Sequence, residues 1–160
     1  MAQTGDLVTA ARQLGYVMML QSNTEEALSQ LHQTVWSLAK TPDGLQRFRD
    51  IAANAPDSPR MLDEIAWFLA TYPDSNARDG AEAVRLSERA CALTDRRIPA
   101  LLATLAAAYA ETEDFSRAVA TGEEALSKAR TQGDTDGVKL SENILASVRA
   151  NLPYRQEPEQ

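Results

Sequence analysis

An all-α chain of antiparallel helix hairpins is what this sequence predicts, and three observations carry that reading. Alanine, leucine, glutamate and arginine are prominent among the 160 residues, while glycine and proline number only seven each. That mixture favours helix and disfavours sheet. Apolar positions recur with a helical period nearly end to end, broken by short polar punctuation. Small and apolar residues also return in one frame at matched distances, the mark of a repeat.

The elements follow in order. The first helix spans 6–21, over "LVTAARQLGYVMML". Asn23, with Glu26 three residues on, resembles a capping box and opens 24–39. Pro42 and Pro56 bound a third helix over 43–55. Pro59 stands in the first turn of 59–72 and Pro73 follows its end. Asp79 with Glu82 repeats the box ahead of 79–94, and Pro99 sits in the first turn of 98–112. Asp114 caps 115–131. A polar linker, "TQGDTDG", precedes the last helix over 137–150. Connections this short imply antiparallel neighbours.

In the alanine-rich stretch 101–126 the frame reads Leu102-x2-Leu105-Ala106-x2-Tyr109, then Phe115, Ala118 and Ala125. Ala106 to Ala118 is 12 residues and Ala118 to Ala125 is 7. The N-terminal copy is Ala11-x2-Leu14-Gly15-x2-Met18, where Gly15 to Ala27 is 12 and Ala27 to Thr34 is 7. The middle copy is Leu62-x2-Ile65-Ala66-x2-Leu69; Ala66 to Ala83 is 17, an insertion of five within "TYPDSNARDG", and Ala83 to Ala90 is again 7. Small residues at these sites let two helices cross closely while Leu105, Tyr109 and Phe115 fill the surrounding grooves. Gly15 to Ala66 is 51 residues, so an unpaired helix, 43–55, falls between copies. A second phasing pairs 24–39 with 43–55, since His32 to Gly44 is 12 and Gly44 to Ile51 is 7.

This frame resembles the tetratricopeptide repeat (TPR) family, with its W-x2-L-G-x2-Y pattern followed by A-x3-F and a closing proline. The likeness covers about residues 8–130 and is degenerate: Ala11, Leu62 and Leu102 stand where the family has tryptophan, and Gly122 and Ser87 replace a bulky residue. The stretch "MLDEIAWFLATYPDSNARDGAEAVRLSERACALT" and the closing "ANLPYRQ" look like the terminal repeats of bacterial TPR proteins. The resemblance implies a right-handed α-solenoid of about eight helices forming one domain over 1–150. Its repeats would lie near 8–41, 59–96 and 98–131, with the extra helix at 43–55 and a capping helix at 137–150. The tail 151–160 is polar; it reads as disordered beyond Tyr154, or as docked on the last hairpin with Tyr154 as anchor.

Stacked hairpins curve, and the first helix of each lines a concave surface. In the family that groove takes segments of partner proteins. The groove would here carry Arg12, Tyr16, Met19, Asp63, Glu64, Trp67, Thr71, Ala103, Ala107, Ala110 and Glu111. An acidic wall around an aromatic platform suits a peptide with one basic and one apolar side chain. Trp67 either stands on that groove or packs against a neighbouring helix, because "IAWFLA" is apolar all round. The Lys, Asn and Arg clamp that some members close on a C-terminal carboxylate is missing, since Asp63, Glu64, Ala100 and Thr104 occupy such sites.

Other classes fall away. The net charge is −7, and division at Ser58/Pro59 leaves 4 − 6 = −2 and 12 − 17 = −5, so neither half suits a nucleic-acid backbone. No apolar run approaches the ~20 residues of a membrane span, and "MAQTGDLVTAAR" does not read as a secretory leader. Cys91 reads as a small buried residue, and His32, the single histidine, as structural or surface. One His and one Cys do not make a zinc site. The pairs Glu25/Glu26, Glu123/Glu124 and Asp134/Asp136 fit helix starts and solvated turns. The sequence and the resemblance therefore lead to a non-enzymatic, soluble adaptor with no cofactor or metal, binding a partner protein or peptide; the lone cysteine fits the cytoplasm and equally an extracytoplasmic fragment of a larger protein. The alternative is a self-associating or spacer module of a larger assembly, a homo-oligomer built on the apolar "LGYVMML" face.

Overall fold

Ser58 opens the fold: its hydroxyl accepts from the Met61 backbone N–H at 3.4 Å, and Pro59 takes the first helical position. Helix α1 (Pro59–Thr71) thus begins where a missing N–H costs least. The structure, a computed structural model, describes residues 57–156 and, before them, the single positions Ser29, Gln33, Thr34, Ser37, Asp43, Gln46 and Asp50. A 3-10 turn (Ser75–Ala77) leads from α1 to α2 (Gly80–Leu93), and α3 (Pro99–Glu111), α4 (Phe115–Gln132) and α5 (Thr135–Arg149) follow. Among the described residues there is no strand.

Each of these helices ends within two residues of the limits read from the sequence. The helix expected over 6–21 lies outside the described residues, as do Arg12, Tyr16, Met19 and His32; of those expected over 24–39 and 43–55 only single positions are described, with Ser29, Gln33, Thr34, Ser37, Gln46 and Asp50 helical. Thr34, the second small site of the first frame, is helical and buried.

The caps are chemically specific. Asp79 accepts from the Glu82 N–H at 3.1 Å. The Glu82 carboxylate turns to Arg85 instead of reaching back, and the Asp79 N–H goes to Leu69 O, so only half of the expected box forms. Asp114 and Asp134 accept from the N–H three residues on, at 3.0 and 2.9 Å. Asp134 therefore starts α5 two residues ahead of the expected position. Gly133, at φ +70°, closes α4 in the left-handed conformation and lets the Asp134 N–H bond Ala129 O at 2.9 Å.

Each helix meets its successor, but α3 meets four: it packs against α1, α2, α4 and α5. All ten residues from Leu101 to Ala110 are buried in consequence. Small residues make this possible. Ala106 and Ala118 are fully buried. A Cβ on Gly122 would stand 2.9 Å from Leu145 Cδ2, so α5 would have to give way to any side chain there, while toward α3 it would meet Ala106 Cβ at an ordinary contact distance of 3.8 Å. Tyr109 is pinned between the neighbouring second helices. Its hydroxyl donates to Glu88 Oε1 of α2 at 2.8 Å, and the Arg117 guanidinium of α4 stands 4.3 Å from its ring centre.

Enlarging the crossing should therefore be costly in one place and harmless in another. Ala106→Leu is expected to lower stability by ~1–3 kcal/mol through overpacking. The exposed Ala120→Leu on α4 should stay within about 0.5 kcal/mol of the parent. Urea unfolding monitored by circular dichroism checks both, with a shifted midpoint and an unchanged slope for Ala106→Leu.

Candidate peptide-binding face

The last turn of any α-helix leaves four carbonyls without partners inside the helix. At the end of α1 the sequence "TYPD" offers no glycine to close it. The Tyr72 N–H returns to Phe68 O at 3.1 Å, and the Asp79 N–H reaches Leu69 O at 3.0 Å. The other two carbonyls are satisfied from the far end of the chain. Arg155 Nη1 donates to Ala70 O at 3.3 Å, and the Gln156 backbone N–H donates to Thr71 O at 3.2 Å. A guanidinium at this position also meets the negative end of the helix dipole.

Local chemistry brings the tail back to α1. Asn151 takes a left-handed conformation (φ 56°), which asparagine tolerates better than most residues. The Leu152 N–H then closes on Ser147 O at 3.1 Å, and Pro153 prevents the helix from resuming. The chain reverses, and the Tyr154 ring settles against Trp67 of α1, centres 5.6 Å apart and planes tilted by 43°. One residue on, Arg155 Nη2 lies 2.6 Å from Glu111 Oε2 at the end of α3.

Glu111 is shared. Its other oxygen accepts from Arg78 Nε at 2.9 Å, and Arg78 Nη1 in turn donates to Tyr72 O and Pro73 O, both at 2.8 Å. The side chains of Arg78 and Glu111 keep only 13 and 14% of their exposure, so this pair is shielded from solvent screening. Gly80 permits the approach, since a Cβ there would lie 3.0 Å from Glu111 Cγ. The connection between α1 and α2, longer by five residues than the frame's other spacings, carries Arg78 to Glu111.

The residues expected to line the groove are distributed unevenly. Trp67, Thr71 and Glu111 converge on the tail, Trp67 by its ring and Thr71 by its carbonyl. Ala103, Ala107 and Ala110 are buried, and Glu64 is half-buried. Asp63 turns toward α3, where the Thr104 hydroxyl hydrogen-bonds its carboxyl, while its Oδ1 is out of reach of solvent and has no partner. Burial pushes its pKa up to about 7, a rise that the Thr104 hydrogen bond only partly offsets. The acidic wall is thus largely spent within the molecule, one carboxyl tending to keep its proton and the other held by two arginines.

The tail is described to Gln156, past the limit of the disorder reading, and Tyr154 anchors it as the docking reading expects; the anchor, however, is Trp67 of α1, and only Arg155 meets the last hairpin, at the end of α3. Arg78 and Arg155 are the residues that sequence reasoning missed. Their signal was an isolated glutamate closing an otherwise apolar helix. No family model matches the chain, and comparison with characterised proteins and with solved structures found no match. Cys91 is buried, as expected, and desolvation raises its thiol to about 12, so it stays protonated and unreactive. Among the described residues no group of three or more His, Cys, Asp or Glu is placed to hold a metal. No described helix is long and apolar enough to cross a membrane.

Asp63 gives the face a pH signature. Folding lifts its pKa from 3.8 to about 7. Between those limits the folded chain holds one proton more than the unfolded chain, so this group's contribution falls as pH rises, by about 1.4 kcal/mol per unit. Asp63→Asn removes that dependence. The melting temperature of the variant relative to the parent should rise from pH 5 to pH 8, read by calorimetry at both pH values; a constant difference would contradict the assignment.

Proposed function

We propose that the chain is a non-enzymatic protein-interaction module, a TPR-like right-handed α-solenoid whose α1/α3 face receives an extended segment of a partner protein. Two features support the fold reading. The first helix of each described hairpin, α1 or α3, packs on its own partner and on the helix that opens the next unit, and α2 and α4 do the same with their successors. The small sites of the repeat frame, Ala66, Ala83, Ala106 and Ala118, are all fully buried. That arrangement is how stacked hairpins share one continuous core.

The observation that carries the functional reading is the seating of Tyr154–Gln156. An extended piece of polypeptide is held there by an aromatic contact, a charge-assisted pair and a backbone hydrogen bond. A surface that holds one such segment has the donors, acceptors and ring needed to hold another. The acidic net charge of the chain favours a basic ligand.

Selection of a phage-displayed random peptide library on the full chain tests this reading. Enriched peptides should bind the parent and lose at least about tenfold in affinity on Trp67→Ala, the loss typical of a central aromatic contact. Peptides that bind both proteins equally, or no enrichment on either the parent or a chain carrying Tyr154→Ala and Arg155→Gln, would count against it.

A further inference from the structure

The segment Asn151–Gln156 is bound by the same groups that a ligand would use. Of the four orphan carbonyls of α1, two are satisfied within residues 58–111 and two only by the tail. Glu111 shows the same division: Arg78 Nε takes Oε1, from a loop side chain also bonded to Tyr72 O and Pro73 O, while Oε2 faces Arg155. The tail itself is less firmly held. The Arg155 side chain keeps 33% of its exposure against 14% for Glu111, and Leu152, which leads into the segment, is 59% exposed. A buried, half-satisfied acceptor set is thus covered by a partly exposed donor set on a short polar connection.

We infer that this acceptor set is a peptide site occupied in cis by Tyr154–Arg155–Gln156, and that a partner enters it by presenting an extended segment in which an aromatic residue is followed directly by arginine. The inference rests on the functional reading above and names its partner chemistry. The ring must reach Trp67, and the guanidinium must bridge Glu111 Oε2 and Ala70 O. The backbone N–H of the next residue must cap Thr71 O. A lysine in place of arginine serves poorly, because a single ammonium lacks the planar fork that spans both acceptors. The tail competes at the high effective concentration of a short tether, so the site stays closed to weak ligands.

The test uses the full chain carrying Tyr154→Ala and Arg155→Gln, which releases the tail, and a fluorescein-labelled peptide of residues 151–160. Fluorescence polarisation should show the peptide binding the released chain at least about tenfold more tightly than the parent, with the tail in cis as competitor. Adding Trp67→Ala to the released chain should remove that binding. Should the double variant fail to melt cooperatively, amide exchange on the parent decides: excess unlabelled peptide should speed exchange at the Gln156 N–H. Peptide bound by neither chain, or Gln156 exchange unmoved by peptide, overturns the inference and makes the tail a fixed part of the fold. Light scattering supplies the third arm. A parent mass of 17.5 kDa at all concentrations supports occupation in cis, whereas a dimer abolished by Tyr154→Ala would give the site to a second copy and overturn it. Loss of this inference leaves the functional reading standing if library peptides still depend on Trp67, and both fall together only if neither peptide source binds.

Discussion

A helix with ten consecutive buried residues has to be enclosed on every side, and α3 imposes that requirement on everything around it. Four helices supply the enclosure, and alanine and glycine set how near they come. Alanine is well suited to this because it adds helix propensity while occupying almost no volume at the crossing. Each individual contact contributes little. What α3 contributes is a shared surface, since α1, α2, α4 and α5 all bury apolar area against one element that has no other state available in water.

Charge is handled on top of that frame by two different solutions. Glu111 closes α3 at a shielded position and is compensated by two guanidiniums, Arg78 of the loop before α2 on one oxygen and Arg155 of the tail on the other. Removing either arginine would leave an under-compensated carboxylate, so loop, tail and helix end behave as one electrostatic unit. Asp63, on α1, has no guanidinium seated on it: desolvation, with Glu64 adding to it, favours its neutral form over the smaller opposing effects of the Thr104 hydroxyl and Arg60. Neither carboxyl projects a free charge into a groove, although both belong to the stretch of sequence that reads as acidic.

Much of the architecture was legible because it is written in local chemistry. Serine, aspartate and proline at helix starts, and glycine at the end of α4, fix boundaries through bonds three to five residues long. The 12- and 7-residue spacings picked out Ala106 and Ala118, both fully buried, because small residues are needed wherever two helix axes approach. The candidate face was harder to read for a physical reason: its decisive contacts link positions that no periodicity relates. Arg78 sits 33 residues from Glu111, and Arg155 sits 85 from Ala70. "ANLPYRQ" reads as disordered or as docked on the last hairpin, and nothing in its composition points to the end of α1, where its carbonyl partners lie.

The separation of those partners has a kinetic consequence. Hairpins α1/α2 and α3/α4 are made of neighbours in the chain, so their contacts close short loops and form early at small entropic cost. The pairs of Tyr154, Arg155 and Gln156 with α1 span about half of the chain and must form on helices already in place. During synthesis, which adds roughly 5–20 residues per second, α1 and α3 can be complete while Trp67 and the Ala70 and Thr71 carbonyls still wait for residues 154–156. A nascent chain therefore passes through an interval in which its acceptor set is assembled and open, and the order of translation decides which segment reaches it first.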